Sequence, residues 1–477
     1  MSVHDDFPLE GKLFFRIPLR LASPLIIGSG DDEFTDLDVQ KEQPSGKPFI
    51  PATSMIGVFR HFLIQHFTEN SDASDAADAH QWMRQIGYFF GECSGLGAQS
   101  AVQCEDIVLG DGKISRRDGV AISPASQTAL DEKKYDYQIV ESDEIFYIAL
   151  EVSLRSPYDR DMFIEMIHQI IKGIGFGIIR LGAKTNKGFG RLQVAGPIAW
   201  DELDFSKAAD VMTWLTNSIN FEEQDWKDLP TDRVLNWFPF EIDAQFSIRD
   251  SLLIRSYPTD PEGPDAISIR QRRGYTLPGT SLMGVIRHRA KKIMASWGYS
   301  EDRITEKMRA LFGHVPEEDT NSDETETMKN GCKKGRLRVE EYPIEEKGGD
   351  ASLREILQTR IKIDRFTGGT FEGALIQEMP LYQTGDAETV TIRMIIPDGC
   401  KHWEAKVLLL VLKDLWSGDL AVGGEKNIGR GALQGIKAKV IWGKDRYDLE
   451  KNEQGFIKES DDFKRLIKKF AETSENE

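Results

Sequence analysis

The sequence predicts an α+β fold repeated twice in tandem, each copy a ferredoxin-like domain. The first observation is a repeated motif. Residues 51–61 read Pro51-Ala-Thr53-Ser54-Met-Ile-Gly57-Val58-Phe-Arg60-His61, and residues 278–288 read Pro278-Gly-Thr280-Ser281-Leu-Met-Gly284-Val285-Ile-Arg287-His288, so that Pro278 follows Pro51 by 227 positions. The second is a downstream pair in the same order. Gly182 to Gln193 matches Gly423 to Gln434, and from Asn186 and Asn427 onward the offset is 241. The third is that strand and helix patterns interleave without a parallel βαβ rhythm, which favours an α+β arrangement over a doubly wound sheet. A period this long is not a solenoid repeat, so the chain holds two folded units.

Each copy opens on a strand. Phe240, Ile242, Ala244, Phe246 and Ile248 alternate with polar residues, as on a half-buried strand. Ile17, Leu19 and Leu21 open the first copy less regularly. Pro24–Ser29 then matches Ser251–Ser256, again 227 apart, and an Asp-rich loop leads to the Pro-x-Thr-Ser motif. That motif starts a helix, which Thr53 or Ser54, and Thr280 or Ser281, can cap. Further strands are expected at Ile145–Leu154 and Thr389–Ile396. An apolar-periodic helix follows each, carrying Met162, Met166, Ile170 and Ile174, or Trp403, Val407, Leu410 and Val411. Between them, Arg117–Ile122 corresponds to Gln358–Ile363 at the offset of 241. The growth from 227 to 241 places an insertion in the second copy, and the acidic run Pro316–Asn330 is its natural site. The expected domains are 1–200 and 237–477, with a linker at 201–236.

The 477 residues are enough for two cores, and 40% hydrophobic with 29% charged is an ordinary composition. No apolar run reaches the ~18 residues of a membrane span, and the N-terminal residues lack signal-peptide order. Cys93, Cys104, Cys332 and Cys400 show no Cys-x-x-Cys spacing and read as reduced thiols of a cytoplasmic protein. The net charge of −18 argues against a free-standing nucleic-acid binder. Much of the acid, however, lies in loop-like stretches (Glu69–Asp78, Glu317–Glu326, the C-terminal tail), while basic residues gather at Arg270–Arg273 and Arg287–Lys292. A basic groove on an acidic protein is therefore allowed.

Three motifs carry chemistry. The loops Asn186-Lys187-Gly188-Phe-Gly190-Arg191 and Asn427-Ile-Gly429-Arg430-Gly431 fit neither a P-loop nor a dinucleotide fingerprint. They are tight turns needing positive φ, or backbone that approaches phosphates closely with help from Lys187, Arg191 and Arg430. The helix starts offer Ser54, Arg60, Ser281 and Arg287 to phosphates, or are plain caps with a solvated basic face. His61 and His288 have no Ser or Cys nucleophile beside them in the sequence. In the loops before them, Asp31, Asp32, Glu33, Asp36 and Asp38 precede Pro51, and Asp260, Glu262 and Asp265 precede Pro278. Asp38 and Asp265 both stand 13 residues before their proline. A positioned carboxylate beside a phosphate acts through a divalent metal or as an acid–base group; the alternative is a solvated acidic loop.

Together these features resemble the RAMP superfamily of CRISPR–Cas systems, and within it the Cas-seven-type backbone subunits of type III effector complexes. Ile50–Arg60 and Leu277–Arg287 are similar to that family's Ile-Pro-Gly-Ser-Ser-Leu-Lys-Gly-x-x-Arg, and Asn186–Arg191 and Asn427–Gly431 to its Gly-rich loop. Arg360-Ile-Lys362-Ile-Asp364-Arg365 is similar to the segment leading into the family's thumb hairpin, with Arg117–Ser123 a weaker counterpart. Ile56 and Met283 stand where the family has Lys, and Ala52 where it has Gly. Two copies in one chain resemble the fused double backbone subunit of III-D-like complexes.

The resemblance implies two tandem ferredoxin-like (RRM-like) domains with inserted thumb hairpins. It implies guide RNA, target RNA, a large polymerase-like subunit and other backbone subunits as partners, and no membrane. It also implies cleavage of guide-paired target RNA by a loop aspartate with a divalent metal, Mg2+ by the family's habit. That role, with metal binding, falls on Asp38 and Asp265, with Asp36 the local rival of Asp38. Guide contacts fall on Ser54, Arg60, Ser281, Arg287, Lys187, Gly188, Gly190, Arg191, Gly429, Arg430, Arg360, Lys362 and Arg365. The rival readings are a non-catalytic guide scaffold and a guide-processing endoribonuclease relying on histidine.

Overall fold

The computed structural model describes residues 7–472 apart from 31–33, 70–75, 93–98, 124–127, 157, 232–237, 259, 261, 273, 315–332, 345–352 and 385–389. Asp31, Asp32, Glu33, Arg273, Cys93, Cys332 and the expected acidic insertion lie outside the described residues. The chain divides into two compact units. The first is Met1–Arg117, Asp136–Thr185 and Phe189–Asn236; the second is Asp118–Tyr135, Asn186–Gly188 and Trp237–Glu477.

In the first unit β1 (Leu9–Leu21) leads to α1 (Ala52–Ile64), the short β2 (Val102–Cys104), and the root of a hairpin of β3 (Ile114–Ile122) and β4 (Ala129–Val140), whose outer part, Asp118–Tyr135, falls in the second. Then come β5 (Ile145–Arg155), α2 (Arg160–Gly175), β6 (Ile198–Asp204), α3 (Ala208–Leu215) and β7 (Glu222–Gln224). The sheet runs β7-β6-β1-β5-β2, all antiparallel. Alternation along β1 sends Leu13, Phe15, Ile17, Leu19 and Leu21 into one core, the period-2 rule at work. Met55, Phe59 and Leu63 of α1 and Phe163, Ile167, Ile170 and Ile174 of α2 meet them, one apolar stripe from each helix.

The second unit repeats the plan. It has β8 (Phe240–Ile248), β9 (Arg255–Ser256), β10 (Ala266–Ser268), α4 (Gly279–Ser296), β11 (Arg338–Val339), and a hairpin of β12 (Gln358–Ile363) and β13 (Thr370–Met379). β14 (Val390–Ile396), α5 (His402–Trp416), β15 (Leu433–Trp442) and β16 (Asp445–Glu450) follow. Its sheet runs β11-β14-β8-β15-β16. In both sheets the first strand lies between the last and the third of the core strands, the ferredoxin-like order. The fold is α+β, as the sequence indicated. Among the described residues no helix is long and apolar enough to cross a membrane.

Two local readings need correction. The helices begin at Ala52 and Gly279 on Pro51 and Pro278, with no side-chain cap. Proline's locked φ, with ψ of 135° and 136°, opens the helix two or three positions earlier than a Thr or Ser cap would. The stretch 201–236 is also not a free linker. β6 pairs with Gly11–Arg16, β7 pairs with β6, and Leu229 is buried in the first core.

The Gly-rich loops have the same backbone in both units. Lys184 and Glu425 both take φ of 55°, and Gly190 and Gly431 take φ of 69° and 80°. Gly190 N–H donates to Pro24 O, and Gly431 N–H to Ser251 O, each at 2.7 Å. A Cβ at Gly190 would fall on the Leu181 carbonyl oxygen, and one at Gly431 on that of Val422. Both constraints demand glycine. Gly190→Ala or Gly431→Ala is therefore expected to destabilise its unit by about 1–3 kcal/mol or more, read as a lowered midpoint in urea or thermal unfolding. Gly284→Ala, where a Cβ meets nothing within 4 Å, is the control. It should leave the midpoint unchanged or raise stability by about 0.5–1 kcal/mol, because glycine is a poor helix former.

Candidate functional site

The loop aspartates separate sharply. Asp38 is 5% exposed, and its carboxylate accepts the Phe34 N–H at 2.9 Å and the Thr35 hydroxyl at 2.7 Å. It ties its own loop. Burial pushes its carboxyl up, but the hydrogen bonds from Phe34 and Thr35 and the Lys41 charge hold it below the ordinary 3.8. Asp36 is exposed and reaches the β4 strand instead. Its N–H donates to Asp136 Oδ1 at 3.1 Å, and its Oδ2 accepts the Asp136 N–H at 2.8 Å. Arg116 forms an ion pair with Asp136.

Asp265, also exposed, does the same on β13. Its N–H donates to Gln377 O at 2.7 Å, and its Oδ2 accepts the Gln377 N–H at 2.8 Å. Asp136 and Gln377 stand 241 positions apart, the offset of the Gly-rich loops. By strand register the counterpart of Asp265 is thus Asp36, although counting back from the prolines pairs it with Asp38. The first copy has 15 residues from Asp36 to Pro51, against 13 from Asp265 to Pro278. Among the described residues Oδ1 of Asp36 and of Asp265 has no hydrogen-bond partner, and no group of three or more His, Cys, Asp or Glu gathers to hold a metal ion.

The basic candidates fall into two sets. Arg60, Arg287, Lys362 and Arg365 are exposed. Ser54 and Ser281 are half-buried in the first helical turns. Arg191 folds inward, its guanidinium on Ala22 O at 3.3 Å and its N–H on Ser23 Oγ at 2.9 Å. Arg430 is 3% exposed and held by Glu425 at 2.6 Å and Glu378 at 3.1 Å. Arg360 pairs with the same two carboxylates. These last two are occupied internally and are not free cations for phosphate.

The Gly-rich loops differ in access. Lys426, Asn427, Ile428 and Gly429 of the second loop are exposed, while Gly188 is buried. Within the second unit, burial and the Arg287 charge lower the proton affinity of Lys187. Gly190 and Gly431 spend their N–H groups on Pro24 and Ser251, so neither offers that donor to a ligand.

The helix starts differ too. The Ala52 N–H at the head of α1 donates to Asp106 Oδ1 at 2.7 Å, a carboxylate in the place where an anion would bind. Nothing in the sequence pattern singled out Asp106. Along α4 the charges are positive. Burial, then Lys292, Lys426, Arg289 and Lys291, lower the proton affinity of His288, so α4 and the second Gly-rich loop share one positive field. The Cys104 thiol is pushed up to about 11 by burial and by Asp106 and Glu105, which leaves it unreactive.

The β12–β13 hairpin is the most exposed apolar feature. Ile361, Ile363, Phe371 and Leu375 lie open on it, and Phe366 at its tip is 100% exposed. Asp364 shapes the tip, accepting the Phe366 N–H at 2.9 Å and the Thr367 hydroxyl at 3.0 Å. Contiguous apolar exposure of this kind marks an interaction surface.

A protein-family model, that of the RAMP superfamily, matches residues 19–193 and again residues 252–434. The two matches cover more than half of the chain and fall one in each copy of the repeat. No curated protein matches the chain.

The aspartate geometry makes a distinguishing prediction. Asp38→Asn is expected to destabilise the protein by about 1–3 kcal/mol, because it removes a buried charged acceptor; Asp36→Asn should cost less. The folded Asp38 carboxyl lies below its ordinary value, so its contribution is present above pH 3.8 and lost as pH falls. Urea unfolding of the wild type and Asp38→Asn should thus converge under acid and diverge at neutral pH.

Proposed function

The chain belongs to the RAMP superfamily, whose general role is CRISPR-associated RNA binding, and from that premise we propose that it is a double backbone subunit of a III-D-like type III effector complex that cuts guide-paired target RNA. The observation that carries the nuclease reading is the matched clamp at the root of each hairpin. An exposed loop aspartate, Asp36 or Asp265, is fixed to a thumb strand by one oxygen and keeps the other available. The place of action is the cytoplasm. The partners are guide RNA, target RNA, the large polymerase-like subunit and other backbone subunits.

Guide phosphates would be held by Arg287, Lys291 and Lys292 of α4, the exposed second Gly-rich loop, and Arg60 of α1. Such contacts position the strand without reading its sequence, which base pairing supplies. Lys362, Arg365 and the bare Phe366 side chain suit a hairpin pushed between paired bases. Contacts are weaker in the first copy, where Asp106 occupies the helix start and Gly188 is buried. An acidic protein can still bind RNA here because its positive field is local.

In the cleavage step the target's 2′-hydroxyl loses its proton and attacks the adjacent phosphorus, the bond to the 5′-oxygen breaks, the departing oxygen takes a proton from solvent water, and a 2′,3′-cyclic phosphate and a 5′-hydroxyl result. Asp36 or Asp265 would accept the hydroxyl proton or hold a divalent ion through Oδ1. A lone carboxylate would suit Mg2+, an ion commonly held by one or two carboxylates together with substrate phosphate. When bound, the ion supplies charge neutralisation at the phosphate. Asp38 fits neither role, since its oxygens are buried and bonded within the loop.

The test is cleavage mapping of a labelled complementary RNA by the guide-loaded complex with magnesium. Asp36→Ala and Asp265→Ala should each erase one discrete cut, lowering its rate by about 10²-fold or more, with guide binding retained. Asp38→Ala should act through stability alone. An unchanged cut pattern in the Asp36/Asp265 double variant assigns the chain to the scaffold reading. A separate measurement addresses the grip. Arg287→Ala and Lys292→Ala should each reduce the slope of log affinity against log salt for single-stranded RNA, by about 0.7 for every phosphate that the variant no longer neutralises.

A further inference from the structure

The residue after each aspartate's partner is Tyr137 in the first unit and Glu378 in the second, again 241 apart. Both meet the Gly-rich loop of their own copy, with opposite chemistry. Tyr137 sits in a small apolar cluster with Ile26, Ile139 and Phe189. Its ring meets Phe189 edge-on at 6.2 Å, and the Lys184 ammonium lies 3.3 Å from its centre. The Arg117 guanidinium covers Phe189 at 5.2 Å. Glu378, 1% exposed, is held instead by Arg255 of β9 at 2.7 Å, by Arg430 of the loop at 3.1 Å, and by Arg360 of β12. Glu425 completes this cluster, reaching Arg430 at 2.6 Å and Arg255 at 3.4 Å.

The positions correspond one to one at the offset of 241: Lys184 with Glu425, Phe189 with Arg430, Arg117 with Gln358. An aromatic and cation–π seat in one copy thus stands where the other has an ionic one. Burial pushes the Glu378 carboxyl up, but its bonds with Glu425 and Arg255 and the charges of Arg255 and Arg360 draw it below the ordinary range, so it is ionised at neutral pH.

We infer that Tyr137 and Glu378 are positioning residues that seat each hairpin on its Gly-rich loop and so fix Asp36 and Asp265, through two seats that fail independently. The link is one covalent step long in each copy. Asp136 and Gln377 hold the aspartates, and the neighbouring residue holds the strand. Removing the Glu378 charge leaves three guanidiniums facing one carboxylate and unseats β13, but it touches nothing in the first seat. Trimming the Tyr137 ring does the reverse. The bearing on cleavage rests on the proposed function; the seats themselves do not.

Hydrogen exchange of the full chain without RNA tests this, comparing wild type with Glu378→Gln, Glu378→Asp, Tyr137→Leu and Tyr137→Phe. In Glu378→Gln, exchange over 370–379 and 426–431 should rise at least about tenfold while 129–140 stays protected, and Glu378→Asp should restore part of the protection. Tyr137→Leu should give the mirror result, and Tyr137→Phe should keep wild-type protection. Unaltered exchange at 370–379 in Glu378→Gln overturns the inference, as does simultaneous loosening of both hairpins in either variant. Protection of 240–248, in the second core, shows that the Glu378 variants remain folded. In the guide-loaded complex, Glu378→Gln should slow only the cut assigned to Asp265. A wild-type complex that makes no cut refutes the nuclease reading, and exchange alone then judges the seats.

Discussion

The architecture of both candidate sites depends on one backbone contact made twice. In each unit the last glycine of the Gly-rich loop donates its N–H to the segment just after the first strand, Gly190 to Pro24 and Gly431 to Ser251. The approach is too close for a Cβ, and φ is positive at both residues. This contact ties the return of the chain after the second core helix to the segment that leaves the middle strand of the sheet. The hairpin strand then docks on the loop, and the aspartate loop docks on the hairpin. A small residue at one point therefore fixes a carboxylate some distance away.

Around that shared frame the copies diverge in charge. The second unit concentrates cations along α4 and the exposed Lys426–Gly429 turn, while it buries Arg430 against acids. The first unit places Asp106 on the helix start and sets Tyr137 and Phe189 where the second has Glu378 and Arg430. A buried ion pair is seldom a large source of stability, because desolvating its members offsets their attraction. Its effect here is geometric: a carboxylate among three guanidiniums admits few arrangements. The aromatic seat holds its strand through ring contact, with the Lys184 and Arg117 cations over the ring faces.

Much was legible in the sequence because it was written twice. The 227 and 241 offsets paired the helix starts and the Gly-rich loops, and the alternation of Phe240 to Ile248 located β8, although Glu241 and Ser247 on its polar face are buried as well. Spacing failed where a loop length changed. Asp38 and Asp265 are equidistant from their prolines, but the loops are anchored by hairpin register, and register pairs Asp265 with Asp36. The arginines misled for another reason. Arg360 and Arg430 look like phosphate ligands in a Gly-rich setting, and only their contacts with Glu378, 52 positions before Arg430, and with Glu425, 65 positions after Arg360, show them to be occupied. The stretch 201–236 was acidic and tryptophan-rich enough to read as a linker, yet β6 belongs to the first sheet.

By itself the sequence determined the duplication, the α+β class, the family resemblance and the short list of carboxylates, because each of these rests on local pattern or on comparison of the chain with itself. Only the tertiary structure decided which carboxylates are exposed, which cations are already paired, and which helix start is blocked by Asp106. Those properties come from contacts between residues tens to hundreds of positions apart. Burial and pairing set whether a charge can meet a ligand, and neither is encoded in the spacing of the residues that carry it.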